Sequence, residues 1–210
     1  MPETATILAF AAISLGMVMT PGPNMIYLVS RSICQGRRAG VLSLLGVLLG
    51  FVFYMVSAAL GISALLFAVP YAYEALCYGG ALYLLYMAWQ AVRPGGRSPF
   101  QVKELPPDSP KKLFLMGFLT NLLNPKIAVM YLSLLPQFVD PDKGSILTQS
   151  LALGSVQVAI SISINLLIVI LAGSIASFLA TRPTWAVAQR WLMGTVLAGL
   201  AIRMMLTARR

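Results

Sequence analysis

Apolar residues run through this chain in long stretches separated by short polar connections, and the stretches have bilayer-crossing length rather than strand-like alternation. The first lies between Glu3 and Arg31, 27 residues without a charge. It predicts one helix of roughly 20 to 25 residues. The second, Ala39 to about Phe67, carries Gly46 and Gly50 at the spacing of a close helix contact and ends before Pro70. The third runs from about Tyr71 to Val92. From Arg93 to Lys112 the chain turns polar and rich in proline and glycine, so 93–112 reads as a cytoplasmic linker between two halves, 1–92 and 113–210. The second half has the same plan: Leu113 to Val139, a fifth helix at about Thr148 to Phe178, and a sixth at about Trp185 to Leu206. Arg190 and Arg203 fall within the sixth, with stems long enough to reach opposite surfaces.

The first run of each half is broken. Pro21, Gly22 and Pro23 interrupt one, and Asn124-Pro125-Lys126 interrupts the other, because proline removes a backbone donor and clashes with the preceding turn. The surrounding text corresponds too: Gly16, Pro23 and Tyr27-Leu28-Val29-Ser30 against Gly117, Pro125 and Tyr131-Leu132-Ser133. Three spans per half is an odd number, so two such repeats enter the membrane from opposite sides. The expected fold class is an all-α polytopic membrane protein of six transmembrane helices, arranged as two inverted three-helix repeats with broken helices 1 and 4. Chance likeness between apolar segments is the competing explanation of the repeat.

Composition agrees with a membrane chain: 59% of residues are hydrophobic, 10% are charged and the mean hydropathy is +0.84. A soluble domain carries about 25% charged residues. A net charge of +9 would suggest nucleic acid in a soluble protein, but here the basic residues sit in the short connections. Ten Lys and Arg fall in one set of loops and four in the other, which places both termini outside the cytoplasm. A sixth run that did not cross would instead put the C-terminal arginines inside, giving five spans. No secretory cleavage pattern precedes the first run, so it is expected to remain as a span. Histidine is absent, and Cys34 and Cys77 fall on opposite sides of this topology, so no disulfide, metal, cofactor or enzymatic nucleophile is expected.

The breaks are the candidate site, since freed backbone groups in a bilayer need neighbouring helices or a polar cavity. The helix resuming after Pro23 presents free amides and a positive dipole end suited to a carboxylate, and Asn24 both donates and accepts. The second break offers Asn121, Asn124, Pro125 and Lys126, the last an intramembrane charge of the kind that faces a polar pathway. The alternative is that both prolines merely kink packed helices. Gln157, Ser161 and Asn165 recur every fourth residue on one face, to line a cavity or to bond neighbouring helices. Glu74 and Asp140 lie near non-cytoplasmic helix ends, where proton uptake competes with solvation or capping. Trp89, Trp185 and Trp191 suit interfacial anchoring.

Met19-Thr20-Pro21-Gly22-Pro23-Asn24 resembles the first-helix signature of the LysE/RhtB amino-acid exporters of bacterial inner membranes. Gly36-Arg37-Arg38-Ala39-Gly40, Gly79-Gly80-Ala81-Leu82-Tyr83-Leu84, the segment Gly117 to Lys126, and Leu135-Pro136-Gln137-Phe138-Val139 resemble the blocks that follow in that family, in the same order. The resemblance implies efflux of an amino acid or close derivative driven by the proton gradient. Expected partners are therefore a small amino-acid solute, coupled protons, the lipid bilayer and, optionally, further copies of the chain. A membrane-embedded redox enzyme, a purely structural subunit and efflux of a different small solute are the alternatives.

Overall fold

The computed structural model describes residues 2–20, 22–62, 72–93, 107–181 and 183–207. Pro21, residues 94–106 of the expected linker, and the side chains of Glu74, Cys77, Tyr83, Arg190 and Arg203 lie outside the described set. The described residues form helices and short connections, with no strand among them. In chain order the helices are α1 (Thr4–Met19), α2 (Pro23–Gln35), α3 (Arg37–Ser57), α4 (Ala72–Val92), α5 (Pro110–Leu122), α6 (Pro125–Val129), α7 (Ile146–Thr181) and α8 (Pro183–Thr207). A π-helical turn, Ala58–Ile62, extends α3. Another, Met130–Leu134, extends α6 into a 3₁₀ turn at Leu135–Phe138.

Both expected breaks are present. Thr20, the residue before Pro21, is extended at φ −79° and ψ 136°, and α2 begins with Pro23 in its first turn. Asn124 is likewise extended at φ −83° and ψ 107°, directly before Pro125. A residue preceding proline is driven out of the helical region, and proline itself suits the first helical position. The chain bends by 53° between α1 and α2 and by 48° between α5 and the segment Pro125–Phe138.

Arg37–Gly61 and Ile146–Ile175 are each long and apolar enough to cross a membrane, and counting each bent pair as one span brings the total to four among the described residues. The third and sixth apolar runs fold as α4 and α8, of 21 and 25 residues. Large apolar side chains face outward, and several polar ones are enclosed. Leu60 and Leu123 are more than three-quarters exposed, and Leu8, Phe53, Leu82 and Leu167 also face outward. Asn24, Asn121, Asn124, Lys126, Gln157, Ser161 and Asn165 are all buried. Apolar side chains turned outward, around a core that is mainly apolar but encloses these polar residues, suit lipid as the surrounding solvent.

Packing crosses between the halves. α3 lies along α5, α7 lies against α1, α2 and α3, and α4 lies along α8. The close contact expected from Gly46 and Gly50 is the one between α3 and α5. A Cβ on Gly46 would stand 1.9 Å from the Phe114 carbonyl oxygen, and one on Gly117 would stand 2.1 Å from that of Ser43. The two backbones touch there, and only glycine permits it.

Candidate functional site at the crossing of two helix breaks

The second break is satisfied by its own asparagine and by a tyrosine of α3. Asn124 caps α6 by accepting a hydrogen bond from the Lys126 amide at 3.1 Å. The Tyr54 hydroxyl donates to the Leu122 carbonyl at 2.8 Å, covering one of the acceptors freed at the end of α5. Tyr54 also stacks on Tyr131, with centroids 5.7 Å apart, and the Tyr131 hydroxyl donates to Gln157 Oε1 on α7.

What the second break has to spare is Lys126, and it reaches the first. The Lys126 ammonium donates to the carbonyl oxygens of Met17 and Thr20, each at 2.7 Å, and to Thr20 Oγ1 at 3.1 Å. These oxygens lie where α1 stops, and the Met17 carbonyl also accepts from the Thr20 amide at 3.3 Å. Thr20 Oγ1 in turn donates to the Met17 carbonyl at 2.7 Å. Lys126 is 5% exposed, so the expected intramembrane charge is enclosed, and its stem lies along the bare backbone of Gly22. A Cβ there would sit 3.2 Å from the ammonium nitrogen. Gly22 is extended at φ −159°, open to any residue, so close approach rather than conformation is what suits glycine here.

Beside this crossing lies a cavity of about 20 Å³. That is room for about one water molecule, against roughly 300–1,000 Å³ for ordinary small-molecule sites. Gly22, Asn24, Asn124, Lys126, Gln157, Ser161 and Asn165 all line it, so seven of the expected site residues converge. Met17, Met25, Phe51 and Ile127 supply apolar wall, and no carboxylate is among the lining residues. Pro23 and Pro125 start the helices on either side. The face of Gln157, Ser161 and Asn165 both lines and bonds. Gln157 Nε2 donates to Ser161 Oγ at 2.8 Å, and Asn165 Nδ2 to the Ser161 carbonyl at 2.7 Å.

Two expected residues stand elsewhere. Asn121 is buried in the α3–α5 contact, where a Cβ on Gly50 would meet it at 2.7 Å. Asp140 is 44% exposed and belongs to a second, open cavity of about 420 Å³ with Glu3, Lys143 and Gln149. Its carboxylate accepts from the Asp142 amide at 3.0 Å, capping a short 3₁₀ turn, and lies 3.7 Å from Lys143. Among the described residues neither side-chain polar atom of Asn24 or Asn121 has a hydrogen-bond partner, and Asn124 Nδ2 has none.

A further polar cluster joins the far ends of α2 and α5. Asp108 pairs with Arg31 of α2 and with Lys112 one turn into α5. Gln35 Nε2 donates to the Asp108 carboxylate at 3.0 Å, and the Asp108 amide donates back to Gln35 Oε1 at 2.9 Å. Tyr27 adds a bond from its hydroxyl to the Leu113 carbonyl at 2.9 Å, with Arg31 lying over its ring. The side chains of Arg31 and Asp108 are 12% and 7% exposed, and Lys112 hydrogen-bonding, followed by Gln35, holds the Asp108 carboxyl below the usual carboxylate range.

A lipid-facing apolar surface around two crossed, broken helices and an enclosed polar cavity is the build of a membrane transport protein. Residues 15–208 match the LysE type translocator family, and the chain belongs to it. It is 26% identical to a leucine efflux protein of Enterobacter sp. (strain 638) over 198 residues, 90% of this chain and 89% of that one. An uncharacterized membrane protein of Bacillus subtilis (strain 168), YrhP, is 26% identical over 208 residues, 94% of this chain and 97% of the relative. Another, PA4757 of Pseudomonas aeruginosa, is 33% identical over 132 residues, 60% of each chain. No solved structure matches.

Proposed function

We propose that this protein exports an amino acid or close derivative across the bacterial inner membrane by alternating access around the cavity between the two breaks, driven by the proton gradient. It crosses the membrane six times as two inverted three-helix repeats, with both termini outside the cytoplasm. The observation that carries the proposal is Lys126 of the second break bonded to the Met17 and Thr20 carbonyls of the first, beside a cavity lined by Asn24, Asn124 and Gln157. The packing supports the repeat, because the middle helix of each half lies against the broken helix of the other and the last helices lie together.

The start of α2 suits the substrate carboxylate. Its first amides lack intrahelical acceptors, no side chain caps them, and Asn24 stands beside them with unpartnered polar atoms. α6 is five residues long and already capped by Asn124, so the carboxylate belongs at the first break. At about 20 Å³ the cavity admits an amino acid only after the halves move, with Pro23 and Pro125 at the bends as hinges. Glu74 and Asp140 are the proposed proton-coupling candidates.

Cells loaded with single amino acids, leucine first, test this by initial export rates. Asn24→Ala and Lys126→Ala are expected to lower export at least ten-fold without loss of protein from the membrane. Normal export by both variants overturns the site, and export indifferent to a protonophore overturns the coupling.

A further inference from the structure

Lys126 is the one lysine buried among the described residues, and the groups that hold it are suited to any primary ammonium. An –NH₃⁺ group has three donors and no acceptor. It is met here by three acceptors: the carbonyl oxygens of Met17 and Thr20 at 2.7 Å and Thr20 Oγ1 at 3.1 Å. We infer that these three oxygens form a primary-ammonium subsite, that Lys126 fills it as a tethered stand-in, and that the α-ammonium of the exported amino acid takes its place. The inference rests on the export function proposed above and supplies the electronegative pole that a zwitterion needs.

Several features favour exchange over a fixed strut. The acceptors are uncharged, so replacing one ammonium by another leaves the local charge balance unchanged. Met17, Gly22 and Lys126 border the same cavity, whereas Thr20 is not among its lining residues, so a ligand arriving there meets the lysine first and reaches the two Thr20 oxygens once it withdraws. Withdrawal of the lysine tail also adds its own volume to the small space. Lys126 lies along the side-chain-free backbone of Gly22, on a flexible four-carbon stem. Once displaced, its charge remains beside the α2 start, where the substrate carboxylate is proposed to lie. The wall has no Asp or Glu, so the displaced lysine has no competing anion there.

The geometry also sets ligand class. The ligand must carry an N–H-bearing ammonium next to a carboxylate, so N-acylated amino acids and 2-hydroxy acids are excluded, while the side chain faces Met25, Phe51 and Ile127.

The test is rescue of Lys126→Ala by methylammonium, read as thermal unfolding of purified protein in lipid nanodiscs. Methylammonium chloride is expected to raise the unfolding midpoint of the variant by several degrees. Wild type should not respond, and neither protein should respond to tetramethylammonium chloride, which has no N–H, at equal ionic strength. If the variant survives purification only with methylammonium present throughout, the same subsite is demonstrated. A variant that methylammonium neither stabilises nor recovers, or a response equal in wild type or with tetramethylammonium, overturns it. Leucine is then expected to displace methylammonium from the variant, and its 2-hydroxy analogue is not. Failure of leucine to compete overturns the assignment to substrate even in a protein shown to export leucine, whereas failure of the export proposal itself is read separately, from transport.

Discussion

The two breaks share a proline, a buried asparagine and a helix start, yet they stand in opposite states of completion. At the second, Asn124 Oδ1 holds the Lys126 amide and Tyr54 holds the Leu122 carbonyl. At the first, Asn24 has no side-chain partner among the described residues, and the Thr20 carbonyl takes its bond from Lys126, 106 positions away. Both breaks draw a side-chain donor from the other half of the chain, Tyr54 at the second and Lys126 at the first, but only at the second does the asparagine cap the helix that follows.

The strongest way to break this comparison is Lys126→Ala. It takes the donor from the Thr20 carbonyl, a buried polar group left unpaired at a cost of about 1–3 kcal/mol, and empties the space of the buried lysine stem. A stability loss of about 3 kcal/mol is expected in denaturant unfolding, with the second break intact by amide exchange at α6. Next is Gly46→Ala, which puts a methyl into the Phe114 carbonyl. Overpacking of this kind costs about 1–3 kcal/mol and loosens the halves while both breaks keep their bonds, so export at saturating substrate should fall less than for Lys126→Ala.

A sharper discriminator is the asparagine pair. Asn124→Ala removes a cap and should cost about 1 kcal/mol. Asn24→Ala removes a group with nothing to lose, so the unfolding midpoint should hold or rise while export falls. Equal destabilisation by the two would erase the distinction drawn here.

The smallest effect is expected at Asp108. Its carboxyl is held low in the fold, so its contribution is fully present above the unfolded value of about 3.9 and is lost as pH falls through the lower folded value. Between about pH 5 and pH 3 the midpoint of wild type should therefore drop by more than that of Asp108→Asn, with the two converging at the acid end.

Much of this was legible in local text. Proline after an extended residue fixes a break whatever surrounds it, so Pro23 and Pro125 could be read directly, and the period of four put Gln157, Ser161 and Asn165 on one face. Gly46 announced a close contact, though not that α5 would fill it. What local text could not carry was partnership. Thr20 sat inside the noted signature without a role, because its part as an acceptor exists only once Lys126 arrives. Lys126 reads in the sequence as an intramembrane charge facing a polar pathway; that its ammonium would also bond the Met17 and Thr20 oxygens has no local signal. Asn121 and Asn124, close in sequence, are divided by the helix end into a packing residue and a cap. Asp108 went unremarked, since a carboxylate in a polar segment is ordinary until Arg31 and Gln35 are folded against it.

α7 has a further consequence. Its 36 residues extend about 54 Å, while the hydrocarbon layer is only about 30 Å deep. A rod so much longer than its medium must slant or protrude, and the slant is set partly by membrane thickness. Because this rod carries Gln157, Ser161 and Asn165 in one wall of the cavity, a change of slant with the acyl-chain length of the host lipids would shift that wall.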